Sequence, residues 1–173
     1  TNSAGFSQQK ERLKMRNNSI RGLFLFLVMV FVTATSHAYT LAEYIQKNCK
    51  KHCVNADVLQ DVVQRASASF RVDPRILLAI IEVESTFSTK ARNGGSLGIT
   101  QVFIKYHRDK FLGKNYFDVE DNVFVGAQIL GDCMERHNQH RQKALSCYNG
   151  LPPNNPKYAN KVFRMMKKQS VIR

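Results

Sequence analysis

From Leu41 onward the apolar residues of this chain recur at every third or fourth position, and no run alternates apolar with polar residues long enough to make a strand. That periodicity predicts a mainly, or wholly, α-helical domain. Leu41, Tyr44, Ile45, Asn48 and Cys49 form one stripe, and Leu59, Val62, Val63, Ala66 and Phe70 the next, both facing a core. A third helix is expected from Pro74 to about Ser85, with Asp73 as its N-cap and Pro74 at the first helical position, where no N–H is needed. Asp121 or Asn122 then caps a helix whose stripe is Val125, Ile129, Asp132, Cys133 and Arg136, and Gly126 and Gly131 within it predict close helix contact. A short helix over Gln142 to Tyr148 stops at Asn149 and Gly150 with prolines beyond. The last stretch, from Lys157, places Tyr158, Val162 and Met165 on one face as a basic cover over the core.

The chain before Leu41 has a different texture. Residues 1–14 are polar, patternless and begin with Thr, which predicts an unstructured extension. From Met15, two arginines (Arg16, Arg21) precede an apolar run, Leu23 to Val32, and small residues Ser36 and Ala38 follow around His37. This is the layout of a secretory signal peptide over 15–38, cleaved after Ala38. The rival is an N-terminal membrane anchor, but the run is too short for the roughly 30 Å of a hydrocarbon core unless Thr33 to Thr35 join it. The expected product is an exported protein, periplasmic or held at the cell envelope, with residues 39–173 as its one domain. A composition 43% hydrophobic and 23% charged is that of a globular chain and excludes wholesale disorder.

The full chain carries a formal charge of +13. Residues 1–38 hold five of the 26 basic and one of the 13 acidic side chains, so the remainder is still +9. Such a protein is drawn to anionic partners, cell-wall polymers or lipid head groups. Nucleic acid is disfavoured by export and by the lack of zinc-finger spacing or a basic-aromatic RNA-binding signature. All four cysteines, Cys49, Cys53, Cys133 and Cys147, follow the leader, as disulfides formed in an oxidising compartment would. Four cysteines allow three pairings, and Cys133 with Cys147, level on a helical hairpin, is the first to try. A zinc site recruiting His52 or His137 is disfavoured because neither cysteine pair forms a CxxC knuckle. No metal or other cofactor is expected, and the protein is expected to act as a monomer.

The chemistry is concentrated in Arg71 to Gln101. On a helical wheel Leu77, Ile80, Ile81 and Glu84 share a face, whereas Glu82 points elsewhere, beside Arg75 and Leu78, and is expected to be the solvated carboxylate. A carboxyl group against an apolar wall resists ionisation and can hold a proton near neutral pH, as a general acid must. The helix alone equally suits a structural Glu84 paired with a cation at the rim of the core. After it, residues 88–98 carry three glycines within five positions, which predicts an irregular loop that lets backbone approach a ligand, or simply a turn. Residues 103–111 predict a short helix, in which His107 is expected at the surface between Lys105 and Arg108 rather than as a base.

The ordered series Glu84-Ser85-x-Phe87, Ala91, Gly95-Ser96-Leu97-Gly98-Ile99-Thr100-Gln101-Val102, Asn122 with Gly126 and Leu130, Tyr148-Asn149-Gly150 and Tyr158 resembles the catalytic domain of soluble-type lytic transglycosylases, relatives of goose-type lysozyme. The similarity runs from about Ala56 to Met166. It implies a single lysozyme-like helical domain with a substrate groove for peptidoglycan glycan strands. It further implies cleavage of the β-1,4 bond between N-acetylmuramic acid and N-acetylglucosamine, with a 1,6-anhydro product. By this resemblance Glu84 is the acid and base, Tyr148 orients it, Gln101 and Asn149 contact sugar or acetamido groups, Gly98 brings loop backbone to a sugar ring, and Ser85 bonds within the site or merely caps the helix end.

The chain departs from the family pattern at Asn93, where a serine is common, and at Thr100, where a methionine is frequent. Its loop from acid to glutamine is also one residue short. Ordinary glycosidases need a second carboxylate roughly 5–9.5 Å away. Asp109, Asp118, Glu120 and Asp121 lie in segments the sequence does not place. The alternatives are a hydrolytic muramidase on the same fold and a non-enzymatic peptidoglycan-binding component. The partners implied are a secretion, conjugation, pilus or phage assembly.

Overall fold

Thr40, Asn55, Asp73 and Asp118 each turn a side-chain oxygen onto the first-turn N–H groups of the segment that follows, and each of those segments is a helix. The computed structural model describes residues 38–172. The leader expected at 15–38 falls outside them but for Ala38, as does the extension over 1–14. Seven α-helices are described: α1 (Leu41–Asn48), α2 (Ala56–Phe70), α3 (Pro74–Ser85), α4 (Ile104–His107), α5 (Val119–Arg136), α6 (Arg141–Tyr148) and α7 (Lys157–Gln169). None is long and apolar enough to cross a membrane.

Helix α3 is the centre. Ile76, Leu77, Ala79, Ile80 and Ile81 are fully buried, because α7 packs along it and α2 lies beside it. Each of the larger four contributes on the order of 2 kcal/mol by leaving water. Helix α5 packs on α2 and α6, and α6 on α7. Gly131 of α5 permits the first contact, since a Cβ there would lie 2.9 Å from the Phe70 carbonyl oxygen of α2. A smaller cluster, Val102, Phe111, Val125 and Ile129, supports the segment that crosses α5. Disulfides join Cys133 of α5 to Cys147 of α6, as expected, and Cys49 to Cys53 after α1.

Four expectations need correction. The stretch expected to be irregular, residues 88–98, holds two short strands, Arg92–Asn93 (β1) and Ser96–Leu97 (β2), which with Val102–Phe103 (β3) form an antiparallel sheet in that order. Gly94 and Gly95, at φ 53° and 95°, make the two-residue turn between β1 and β2, a geometry that glycine adopts without strain. Helix α5 starts one turn early, capped by Asp118, which leaves Asn122 inside it and fully buried. Gly126 faces Thr100 of the loop and not another helix. Glu82 is 4% exposed rather than solvated, because α7 covers the side of α3 that the wheel left to water. Its carboxylate accepts from Lys168 Nζ at 2.9 Å, Gln169 Nε2 at 2.7 Å and Tyr44 Oη at 3.2 Å. The basic last helix is therefore anchored by an ion pair at its C-terminal end as well as by apolar burial.

Candidate active site

Glu84 lies in the last turn of α3, two residues beyond the buried Glu82, where the helix emerges from the core. Tyr158, in the first turn of α7 and 6% exposed, donates its hydroxyl to Glu84 Oε1 at 2.6 Å. Burial pushes the Glu84 carboxyl above its ordinary range, while the Tyr158 bond and the nearby Lys161 charge pull it back in part. The outcome is a carboxyl group more ready to keep its proton than a solvated one. Tyr148, at the end of α6, stacks on Tyr158 with ring centroids 6.3 Å apart and donates to the Thr100 carbonyl at 2.9 Å. Burial and the neighbouring Glu84 push both phenols upward, so they stay protonated donors.

Besides Tyr148, the loop opposite is held by Asn122. Asn122 accepts from the Thr100 backbone N–H and hydroxyl, both at 2.8 Å, and donates to the carbonyls of Leu97 and Tyr116. Gly98, at φ 77°, lies directly against it, and a Cβ there would collide with the Asn122 amide and the Tyr116 carbonyl. Gln101 leaves this clamp at φ 50° and donates its amide to the Gly98 carbonyl at 2.8 Å. Thr100, the departure from the family's methionine, supplies the hydroxyl that Asn122 binds.

Between helix and loop lies a cavity of about 510 Å³ lined by Glu84, Gln101, Phe103, Tyr106, His107, Tyr148 and Asn149, among others. An adjoining cavity of about 280 Å³ shares Glu84 and Asn149 and adds Leu151, Lys157, Tyr158 and Lys161. Glu84 is the only carboxylate lining either one among the described residues. The unplaced acids are committed elsewhere: Asp118 caps α5, Glu120 pairs with Arg65, and Asp121 accepts from the Asn115 N–H. Asp109 starts the short 3₁₀ turn after α4.

Four of the six residues singled out in the sequence, Glu84, Tyr148, Gln101 and Asn149, therefore meet at one cavity. Ser85 does not line it: its hydroxyl donates to the Ile81 carbonyl of its own helix at 2.9 Å. Gly98 is buried under Asn122 rather than facing the cavity. The residue bonded to the acid is Tyr158, where Tyr148 was expected. Tyr158 was visible in the sequence as the aromatic leading the apolar face of the last helix. His107, expected at the surface, is half-buried and lines the cavity, and burial together with Lys110 lowers its imidazole below the usual histidine range.

The model of the transglycosylase SLT domain family matches residues 61–171, a span that contains Glu84, Gln101, Tyr148 and Tyr158. A curated relative from Enterobacteria phage PRD1, named a transglycosylase, is 26% identical over 92 residues, covering 52% of this chain and 34% of the relative. The chain thus spans about a third of that relative's length.

Proposed function

The chain belongs to the transglycosylase SLT domain family, and on that premise we propose that it is a peptidoglycan lytic transglycosylase acting through one carboxyl group, that of Glu84. The observation that carries this reading is the solitary, partly buried Glu84, bonded to Tyr158 and unaccompanied by a second acid in the cavity. Among the described residues, neither cavity holds the second carboxylate that a two-carboxylate glycosidase mechanism needs.

The reaction proceeds in two proton transfers. Glu84 gives its proton to the glycosidic oxygen as the bond to C1 of the muramic acid breaks, and the N-acetylglucosamine leaves as an alcohol. The resulting Glu84 carboxylate takes the proton of the C6 hydroxyl while O6 closes on C1, forming the 1,6-anhydro ring. No water is consumed and the acid is regenerated. Tyr158 holds the carboxyl group in place throughout, and Tyr148 braces Tyr158 and the loop. Gln101 and Asn149 present amides at the cavity wall, suited to hydroxyl and acetamido groups. Ser85 and Gly98 act behind the wall, the first on the end of α3 and the second under the loop.

The enzyme is proposed to work in the cell envelope after export. The viral source of the relative makes phage entry or release the setting to test first, ahead of secretion, conjugation or pilus assembly. Mass spectrometry of fragments released from purified peptidoglycan tests the whole reading. The parent protein should yield 1,6-anhydro-muropeptides, and Glu84→Gln should lower their yield by about a thousandfold or more. Reducing-end products would assign a hydrolase, and equal release by both proteins would remove Glu84 from catalysis.

A further inference from the structure

We infer that the smaller cavity, where Lys157 and Lys161 stand beside Glu84, is a subsite for a carboxylate carried on the substrate, so that the enzyme selects acid-substituted glycan strands over neutral ones. The inference deepens the proposed function and rests on it. Its first support is the lining. Lys157, Lys161, Asn149 and the apolar Leu151 line an open depression of about 280 Å³ that Glu84 and Tyr158 also border. An acidic substituent with a short apolar arm, such as a lactyl ether or the peptide attached to it, has matching chemistry.

The second support is that these cations have no protein partner. Lys157 and Lys161 are one helical turn apart, on one face of α7, where like charges repel. Both are exposed, and neither ammonium makes an ion pair or hydrogen bond among the described residues, although Lys161 acts on Glu84 through space. Lys168 pairs with Glu82 at 2.9 Å and Lys110 with Asp132 at 2.8 Å, whereas Lys50, Lys51, Lys90, Lys114 and Lys167 are exposed and unpaired too among the described residues. What sets Lys157 and Lys161 apart is that both line a cavity bordered by Glu84. An unmatched pair next to the reacting group is the arrangement that an incoming anion completes.

The third support is the contrast across the site. The larger cavity is walled by neutral amides, aromatic rings and His107, and the same acid borders a neutral cavity on one boundary and a cationic one on the other. A strand whose sugars alternate between bare and acid-bearing would be placed in one register by that asymmetry, which puts the scissile bond at Glu84 on the correct side of the substituted sugar.

Co-sedimentation with insoluble peptidoglycan, native or with its carboxyl groups converted to amides by carbodiimide and ammonia, tests this. All proteins carry Glu84→Gln, so that the wall is not consumed. Lys157→Gln/Lys161→Gln should weaken binding to native wall by about fivefold or more, as two partly exposed ion pairs require, and leave binding to amidated wall unchanged. Lys50→Gln/Lys51→Gln, which removes equal charge from exposed residues lining neither cavity, should change neither. Equal losses in the two double variants would reduce the effect to general attraction and overturn the subsite. So would a parent that binds native and amidated walls alike, or neither. Product release by the protein with Glu84 intact is scored separately, so a failed subsite and a failed enzyme assignment give different results. Circular dichroism confirms that the variants keep α7.

Discussion

Glu82 and Glu84 sit two residues apart on one helix and do opposite work because of what reaches each. Glu82 meets an ammonium, an amide and a phenol, and its role is to fasten α7 to α3. Glu84 meets one neutral donor, Tyr158, in a place where burial favours the protonated form. That difference predicts the behaviour of Tyr158→Phe. The hydroxyl favours the carboxylate and so draws the Glu84 value down; without it, burial carries the value further up. A general acid must begin protonated, so activity falls as pH rises through that value. The alkaline limb of kcat against pH should therefore move to higher pH in Tyr158→Phe, while the maximum drops by about tenfold through lost orientation. An unmoved limb would mean that Tyr158 does not set the acid. The wheel placed Glu84 beside apolar residues, and burial does raise its carboxyl, but it misjudged Glu82, because a wheel assigns one wet face and α3 has almost none. Which tyrosine meets the acid was likewise hidden, since that depends on how α6 and α7 stack.

At the scale of elements, the helices were legible because caps and apolar spacing are local signals. Asp73 with Pro74, and Asn149-Gly150 before the prolines, fix ends without reference to the rest of the chain. The small sheet was not legible: strands of two residues are too short for alternation to register, and their pairing is set by the Gly94-Gly95 turn and by Asn122 from α5. Asn122 was taken for a cap because its amide chemistry suits one. Buried in the first turn of the helix, it instead satisfies backbone groups of Leu97, Thr100 and Tyr116. Asn122→Ala should leave the Thr100 N–H and the Leu97 and Tyr116 carbonyls without that partner, and should destabilise the fold by about 3 kcal/mol. Urea unfolding should report a lower midpoint with an unchanged slope. Gln101 leans on the Gly98 carbonyl of the same loop, so substrate affinity should weaken in the folded fraction too. A midpoint equal to the parent's would remove Asn122 as the clamp.

For the molecule as a whole, the acid and its tyrosines come from three helices, α3, α6 and α7, so the site exists only while those helices keep their mutual packing. The two disulfides bear on this unequally. Cys133–Cys147 ties α6 to α5 across a separation of 14 residues, and Cys147 itself lines the cavity next to Tyr148. Cys49–Cys53 closes a separation of four residues after α1 and lines neither cavity. Chain-entropy arguments give about 3 kcal/mol for the longer loop and about 2 kcal/mol for the shorter. The larger difference should lie in function, since freeing α6 lets Tyr148 leave its stack on Tyr158 and its bond to Thr100. Cys133→Ala/Cys147→Ala should therefore lose activity at temperatures where its helical content is still intact, whereas Cys49→Ala/Cys53→Ala should lose activity only as it unfolds. Parallel thermal scans of circular dichroism and of product release separate the two. Coincident loss in both variants would show that α6 is held by packing alone, and that the bridge at the cavity adds stability without organising the site.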